Sequence, residues 1–309
     1  MRPRKIIRRL LLAAIIVVVV LNWTWGKLPA EPPAPSGSKF AQVGDTRIHY
    51  VEKPGREPAV VMVHGLPGTW ADWDAVTDAL PGRRTIAIDR PGFGYSSAGY
   101  VEFDDQVRAI HAFSKEIGVK NPVIAGHSYG GALAFAYAKR YPNETKGVVA
   151  VDPAVSGSDI SVLERIQARA VGFLQLPVIE PIANATFSQA MRTAAANRGD
   201  EEAFAPDPVD EGHKQRLLEL NMKSEDLEAF SDEIPAFSEI SDRLSRQYPS
   251  IRVPVWIIQG RDDKLVTTSQ VESVSRQIPG AKLQIVSGGH MATYTHPAAV
   301  ARAISAAAR

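Results

Sequence analysis

The 309-residue chain contains no cysteine. Disulfides, thiolate nucleophiles, zinc fingers and iron–sulfur clusters are therefore excluded, while the compartment stays open, because proteins on either side of a membrane can lack the residue. Charge of one sign is also missing: 35 Lys and Arg stand against 34 Asp and Glu, a net charge of +1. Five of those cations (Arg2, Arg4, Lys5, Arg8 and Arg9) precede Leu10, leaving 30 against 34 in the rest. That acidic remainder argues against nucleic acid as a partner. Internal repeats are absent. What is present is an ordinary globular balance, 45% apolar and 22% charged, with enough apolar side chains for a large core. The length suits one large fold carrying an insertion better than two ordinary domains.

One long apolar run stands out, residues 10–21 (LLLAAIIVVVVL), directly after the basic cluster. As a helix it would span roughly 18 Å, short of the ~30 Å hydrocarbon core, and extending it to Trp25 gives roughly 24 Å. Trp23 and Trp25 suit a membrane interface, and the arginines suit its cytoplasmic side. The segment 1–26 therefore reads as an uncleaved anchor, with a cleaved secretory signal and a buried helix as alternatives. Cleavage is poorly served, since Leu28 occupies the position where a cut after Ala30 wants a small residue. Either export reading puts the bulk of the chain outside the cytoplasm, on the periplasmic or extracellular face or secreted. Residues 27–39 (KLPAEPPAPSGSK) are rich in Pro, Ala and Ser and read as an extended spacer.

From residue 40 the pattern becomes short apolar runs alternating with helical stretches. Gly44-Asp45 marks a hairpin turn within 43–51, and 59–63 (AVVMV) is the continuous apolar run of a strand buried on both faces. Similar runs fall at 85–88, 122–125, 147–151, 253–258 and 282–286. Phe103, Val107, Ile110, Phe113 and Ile117 recur at helical spacing. Such alternation predicts a mainly parallel sheet covered on both sides, in an α/β fold. Residues 154–249 break it. Their apolar residues follow a helical period without a convincing strand, so the core is read as 40–153 and 250–309 with a helical insertion between.

The strongest motif is Gly126-His127-Ser128-Tyr129-Gly130, placed between an expected strand and an expected helix. A nucleophile at such a turn is lifted above the sheet, and the glycines supply the space that the turn needs. Four more motifs sit at strand ends: His64-Gly65-Leu66-Pro67-Gly68, Asp89-Arg90-Pro91-Gly92-Phe93-Gly94-Tyr95-Ser96, Gly260-Arg261-Asp262-Asp263 and Gly289-His290.

In this set and this order the sequence resembles the α/β-hydrolase family from about residue 40 to the C-terminus. The resemblance implies an eight-stranded, mostly parallel sheet flanked by helices, with the insertion as a helical lid. It implies Ser128 as nucleophile, Asp263 as acid and His290 as base, in the family's chain order. The backbone N–H groups of Leu66 and Tyr129 would receive the oxyanion, and no cofactor or metal is called for. Asp262 is an alternative acid, and so is Asp152, for which a plain turn role is the simpler reading. His64 and His127 are expected to orient loops, His296 to cap a helix, and His49, His111 and His213 to be ordinary structural or surface residues. Trp70 and Trp73 read as core. Phe173, Leu174, Leu176, Val178, Ile179, Ile182, Phe187 and Met191 would roof the nucleophile with apolar surface.

The implied reaction is hydrolysis of a small-molecule carboxylic ester with an apolar group, through an acyl-enzyme on Ser128. Serine at the turn argues against epoxide hydrolases and dehalogenases, which share other motifs but use an aspartate there. A carbon–carbon (diketone) hydrolase, a cofactor-free perhydrolase or haloperoxidase, and a ligand-binding module on the same scaffold remain as alternatives. Oligomeric state leaves no trace in the sequence.

Overall fold

The computed structural model describes residues 32–97, 101–156, 197–220 and 224–309, the side chains of 224–228 excepted. Eight strands form one sheet: β1 (Ser38–Val43), β2 (Thr46–Lys53), β3 (Arg56–Val63), β4 (Arg83–Ile88), β5 (Val123–His127), β6 (Gly147–Val151), β7 (Val255–Gly260) and β8 (Lys282–Val286). Their order is β1-β2-β4-β3-β5-β6-β7-β8. β2 runs antiparallel to both β1 and β4, and all other neighbours are parallel. The hairpin turns at Gly44, whose φ of 57° suits a residue without a Cβ. β1 starts inside the stretch expected as a spacer, and β7 starts only after Pro254, which has no N–H to give the ladder.

The alternation of side chains along each strand divides the core between two faces. Val61 and Val63 join Ile86, Ile88, Ile124, Val148 and Ile257 on one, under α2 (Phe103–Glu116) and α3 (Tyr129–Arg140). Val60 and Met62 join Ala87, Val123, Val149 and Ile258 on the other. α8 (Pro297–Ala307) and the fully buried Trp73 cover that second face. Each completely buried Val or Ile contributes about 1.5–3 kcal/mol of hydrophobic stabilisation. The sheet is thus a rigid platform, and the functional loops rise from the C-terminal ends of its parallel strands.

α1 (Asp74–Asp78) follows a 3-10 turn that opens on a capping box between Thr69 and Asp72. Between β6 and β7 the described residues include three helical stretches: 197–204, then α4 (Glu211–Leu220) and α5 (Ser224–Ser245). The chain then returns to the sheet, and α6 (Thr268–Gln277) and α7 (Ala292–Thr295) flank the last two strands. The apolar residues expected to roof the nucleophile, from Phe173 to Met191, lie outside the described residues, as does the run 10–21. Among the described residues no helix is long and apolar enough to cross a membrane.

Candidate active site

Ser128 sits between the last residue of β5 and the first of α3, with φ 51° and ψ −118°. A β-carbon in that region is strained, and such strain persists only where the surroundings enforce it. Here they do. A Cβ at Gly126 would come within 2.0 Å of the Gly130 carbonyl oxygen, and one at Gly130 within 2.3 Å of that of Val63. Only glycines let β5 turn this tightly into α3.

His290 and Asp263 converge on this serine from the loops after β8 and β7. His290 Nδ1 lies 2.7 Å from Asp263 Oδ2, and His290 Nε2 lies 2.9 Å from Ser128 Oγ. A carboxylate can only accept, so Nδ1 carries the hydrogen and Nε2 is left to accept from the hydroxyl. The Asp263 carboxylate is itself held. Its Oδ1 accepts the Leu265 and Val266 N–H groups at 2.8 and 2.9 Å, and its Oδ2 accepts Gln259 Nε2 at 3.0 Å. Burial opposes its charge, but His290 and these donors outweigh burial and hold its carboxyl below the usual carboxylate range. Burial likewise opposes protonation of His290, and the adjacent Asp263 outweighs it, so the imidazole titrates above its ordinary value.

The other candidates fall elsewhere. Asp262 is exposed, and among the described residues it bonds only through its N–H to the Gly288 carbonyl. Asp152 is buried at φ 44°, and its oxygens accept the Gly260 and Ala292 N–H groups at 2.7 and 2.9 Å. It ties together the loops that carry Asp263 and His290, and burial pushes its carboxyl up to about 7 against the opposing pull of the nearby His290. His127 donates from Nε2 to the His290 carbonyl at 2.8 Å, and burial brings it down to about 4, so it stays neutral. Tyr129 directly follows Ser128 as the first residue of α3, and Gly65, the residue before Leu66, approaches the serine so closely that a Cβ built there would lie 3.1 Å from Ser128 Cβ. Trp70 and Trp73 are buried, and His296 meets the Ser287 hydroxyl at 3.0 Å. His111 stacks on Tyr141 with ring centroids 3.7 Å apart.

A second serine, histidine and aspartate stand in line at the opposite edge. Ser38 Oγ is 2.8 Å from His49 Nε2, and His49 Nδ1 is 2.7 Å from Asp89 Oδ2. Ser38 lies in the extended strand β1, with no helix N-terminus behind it to receive an oxyanion. Asp89 also accepts the Trp70 and Tyr95 N–H groups, at 2.8 and 2.9 Å, so this set braces loops. Among the described residues no group of three or more His, Asp or Glu converges as a metal site.

The profile of the alpha/beta hydrolase fold matches residues 58–297. The chain belongs to this family. It is 32% identical over 193 residues to the bifunctional epoxide hydrolase 2 of Sus scrofa, covering 57% of this chain and 35% of that protein. The chain thus spans about a third of that relative's length. It is 25% identical to monoacylglycerol lipase abhd6-B of Xenopus laevis over 288 residues, 84% of this chain and 78% of that one. The crystal structure of the enol-lactonase from Burkholderia xenovorans LB400 superposes with a TM-score of 0.70 at 19% identity, covering 87% of this chain and 99% of that chain. That likeness is one of fold.

Sequence reasoning missed a polar cluster that joins the family core to its insertion. His213, on α4, expected as an ordinary structural or surface residue, is buried with Nδ1 3.2 Å from Asp72 Oδ1 and Nε2 3.3 Å from Asp200 Oδ1. Tyr294 donates to the same Asp72 oxygen at 2.9 Å. The partners are up to 222 residues apart, so no local pattern announces them. Burial opposes protonation of His213, but the two carboxylates outweigh it and raise its pKa to about 9, while Asp72 is lowered to about 2. The raised histidine stabilises the fold fully below its unfolded pKa near 6.5, and this contribution is lost as pH rises towards 9. The lowered aspartate contributes above about pH 4 and loses its share as pH falls towards 2; both shifts describe one interaction and are not added. Wild-type stability should therefore decline by on the order of 3 kcal/mol between pH 6.5 and 9 through this group. Denaturant titrations of His213→Gln should show that slope flattened; an unchanged slope would refute the assignment.

Proposed function

We propose that this chain is a serine hydrolase that cleaves a carboxylic ester through an acyl-enzyme on Ser128. The observation that supports it is the hydrogen-bond chain from Ser128 Oγ through His290 to Asp263, at 2.9 and 2.7 Å, ending on a buried carboxylate. As Oγ bonds to the ester carbonyl carbon, its proton passes to His290 Nε2, and the carbonyl electrons move onto oxygen. The N–H groups of Leu66 and Tyr129 receive that oxyanion. Collapse breaks the bond to the alcohol, which takes the proton from His290. Water then repeats the sequence on the acyl-enzyme, releasing the acid and restoring Ser128. Asp263 steadies the imidazolium in both halves, and its own depressed pKa keeps it charged for that role. Opening an epoxide through a covalent ester needs a carboxylate at the turn, and the side chain there is a hydroxyl.

The basic N-terminal cluster and the apolar run 10–21 support a further part of the reading: the chain is held at a membrane, with residues 40–309 beyond the cytoplasmic side. The apolar residues 173–191 in the lid region favour an apolar acyl or alcohol group.

One experiment tests both parts. The full chain is expressed, membrane and soluble fractions are separated, and each is assayed on p-nitrophenyl esters of graded acyl length with a fluorophosphonate probe. Activity and probe should be found in the membrane fraction, with the probe mapped by mass spectrometry to Ser128. Absence of labelling on folded protein overturns the serine hydrolase, and activity confined to the soluble fraction overturns the anchor.

A further inference from the structure

Arg90 is fully buried, a placement that is costly for a cation unless its N–H groups find acceptors. Nη1 donates to Gln106 Oε1 at 2.7 Å and to Glu233 Oε1 at 2.8 Å. Nη2 donates to Glu233 Oε2 at 3.1 Å and to the Gly65 carbonyl at 2.9 Å. Glu233 is equally buried, belongs to α5 in the insertion, and also accepts Gln106 Nε2 at 2.6 Å. The charge is therefore balanced by the carboxylate, the fourth of these N–H bonds goes to one backbone oxygen, and the Nε–H has no acceptor among the described residues.

That oxygen is significant because the Gly65 carbonyl and the Leu66 N–H belong to one planar amide. His64 Nδ1 donates to the same oxygen at 2.9 Å, and His64 is fixed in turn by the Arg90 N–H on its Nε2, also at 2.9 Å. Burial lowers His64 to about 4, so it remains the neutral tautomer that this pattern requires. Two donors on the oxygen set the plane of the amide and draw electron density towards the oxygen, which makes the N–H at the other side a better donor. Among the described residues the Leu66 N–H has no acceptor. The Arg90 guanidinium also lies 4.7 Å from the centre of the Tyr129 ring. It thus contacts the peptide that carries the Leu66 N–H, through the Gly65 carbonyl, and the side chain of Tyr129.

We propose that Arg90 is the positioning residue of the oxyanion site: its guanidinium, held from the insertion by Glu233, fixes and polarises the Gly65–Leu66 peptide. The insertion thereby contributes to the transition state through a residue that never meets the substrate. This inference rests on the ester-hydrolase reading, and its test separates the two.

The full chain is compared with Arg90→Gln/Glu233→Gln, which removes both charges together, and with Arg90→Lys, which keeps the charge but loses the fork of parallel N–H groups. Circular dichroism and Tm report folding. Steady-state ester kinetics are measured beside inhibition by an alkyl boronic acid, which forms a tetrahedral adduct on the serine, and by an unreactive amide analogue. In the double variant kcat should fall by on the order of 10- to 100-fold with KM little changed. The inhibition constant of the boronic acid should rise by the same factor while that of the amide stays put, because only the tetrahedral species uses the oxyanion donors. Arg90→Lys should fall between. A folded double variant with kcat and boronic acid affinity within about twofold of wild type overturns the proposal. So does a loss confined to KM and the amide, which would make Arg90 a shaper of the pocket. Should the double variant fail to fold, a folded Arg90→Lys with wild-type kcat overturns it equally. Wild type that neither turns over esters nor binds the boronic acid sinks the ester reading itself.

Discussion

Ser128→Ala should lower kcat on any ester that the protein turns over by on the order of 10⁶, with Tm unchanged, because the group that forms the acyl bond is gone. Asp263→Asn should cost about 10⁴. The amide nitrogen introduced by that substitution would donate where the carboxylate accepted, forcing the His290 hydrogen onto Nε2, and Nε2 could no longer take the serine proton. Asp152 is not placed to take over the Nδ1–H: among the described residues its oxygens bond the Gly260 and Ala292 N–H groups, at 2.7 and 2.9 Å, and not the imidazole. Asp262→Asn and Ser38→Ala are the controls. The first alters an exposed carboxylate and the second removes the serine of the bracing set, so both should keep near-wild-type rates. Steady-state rates with fluorophosphonate labelling of each variant are the measurement. Loss in Asp262→Asn with retention in Asp263→Asn would reverse the acid assignment, and loss of labelling in Ser38→Ala alone would move the reaction to the other edge of the sheet.

Removing Glu233 should give the largest loss of stability among single substitutions outside the hydrophobic core. Glu233→Ala leaves the Arg90 guanidinium buried without a counter-charge, and breaking a buried pair from one side costs about 3–5 kcal/mol. The pair itself contributes far less, because assembling it meant taking two charges out of water. Arg90→Gln/Glu233→Gln should therefore be much more stable than Glu233→Ala, although it changes more residues. Urea denaturation with a common slope provides the comparison. A double variant as unstable as the single one would show that packing around the two side chains, rather than the unpaired charge, sets the cost.

Ser128 and Glu233 differ in how much of their role is written in nearby residues. Ser128 could be singled out because its requirements are local: a buried strand before it, a helix after it, and glycines wherever a Cβ would strike neighbouring backbone. The same holds for Asp263 and His290, each just past a glycine at the end of an apolar run. The sheet was legible for a related reason, since strands buried on both faces leave unbroken apolar runs such as 59–63 and 147–151. Strand ends were less so. β4 begins at Arg83 and β3 at Arg56, because charged residues at a sheet's rim can pair their backbone and still reach water.

What escaped was every contact whose partners come from distant parts of the chain. Arg90 was visible only as one letter of a turn motif, and Glu233 as one acid among 34. Their pairing spans 143 positions, and that of His213 with Asp72 spans 141. The same applies to the bond from the His290 N–H to the Ala203 carbonyl at 2.8 Å, which rests the loop of the proposed base against the insertion. Burial decides which charges must find partners, and burial is a property of the closed fold. The sequence alone specified the platform and the residues at its strand ends, since periodicity, turn sterics and motif order act over a few residues at a time. The tertiary structure alone decided which of those residues meet, how charged they are, and that the insertion grips the loops on both sides of Ser128.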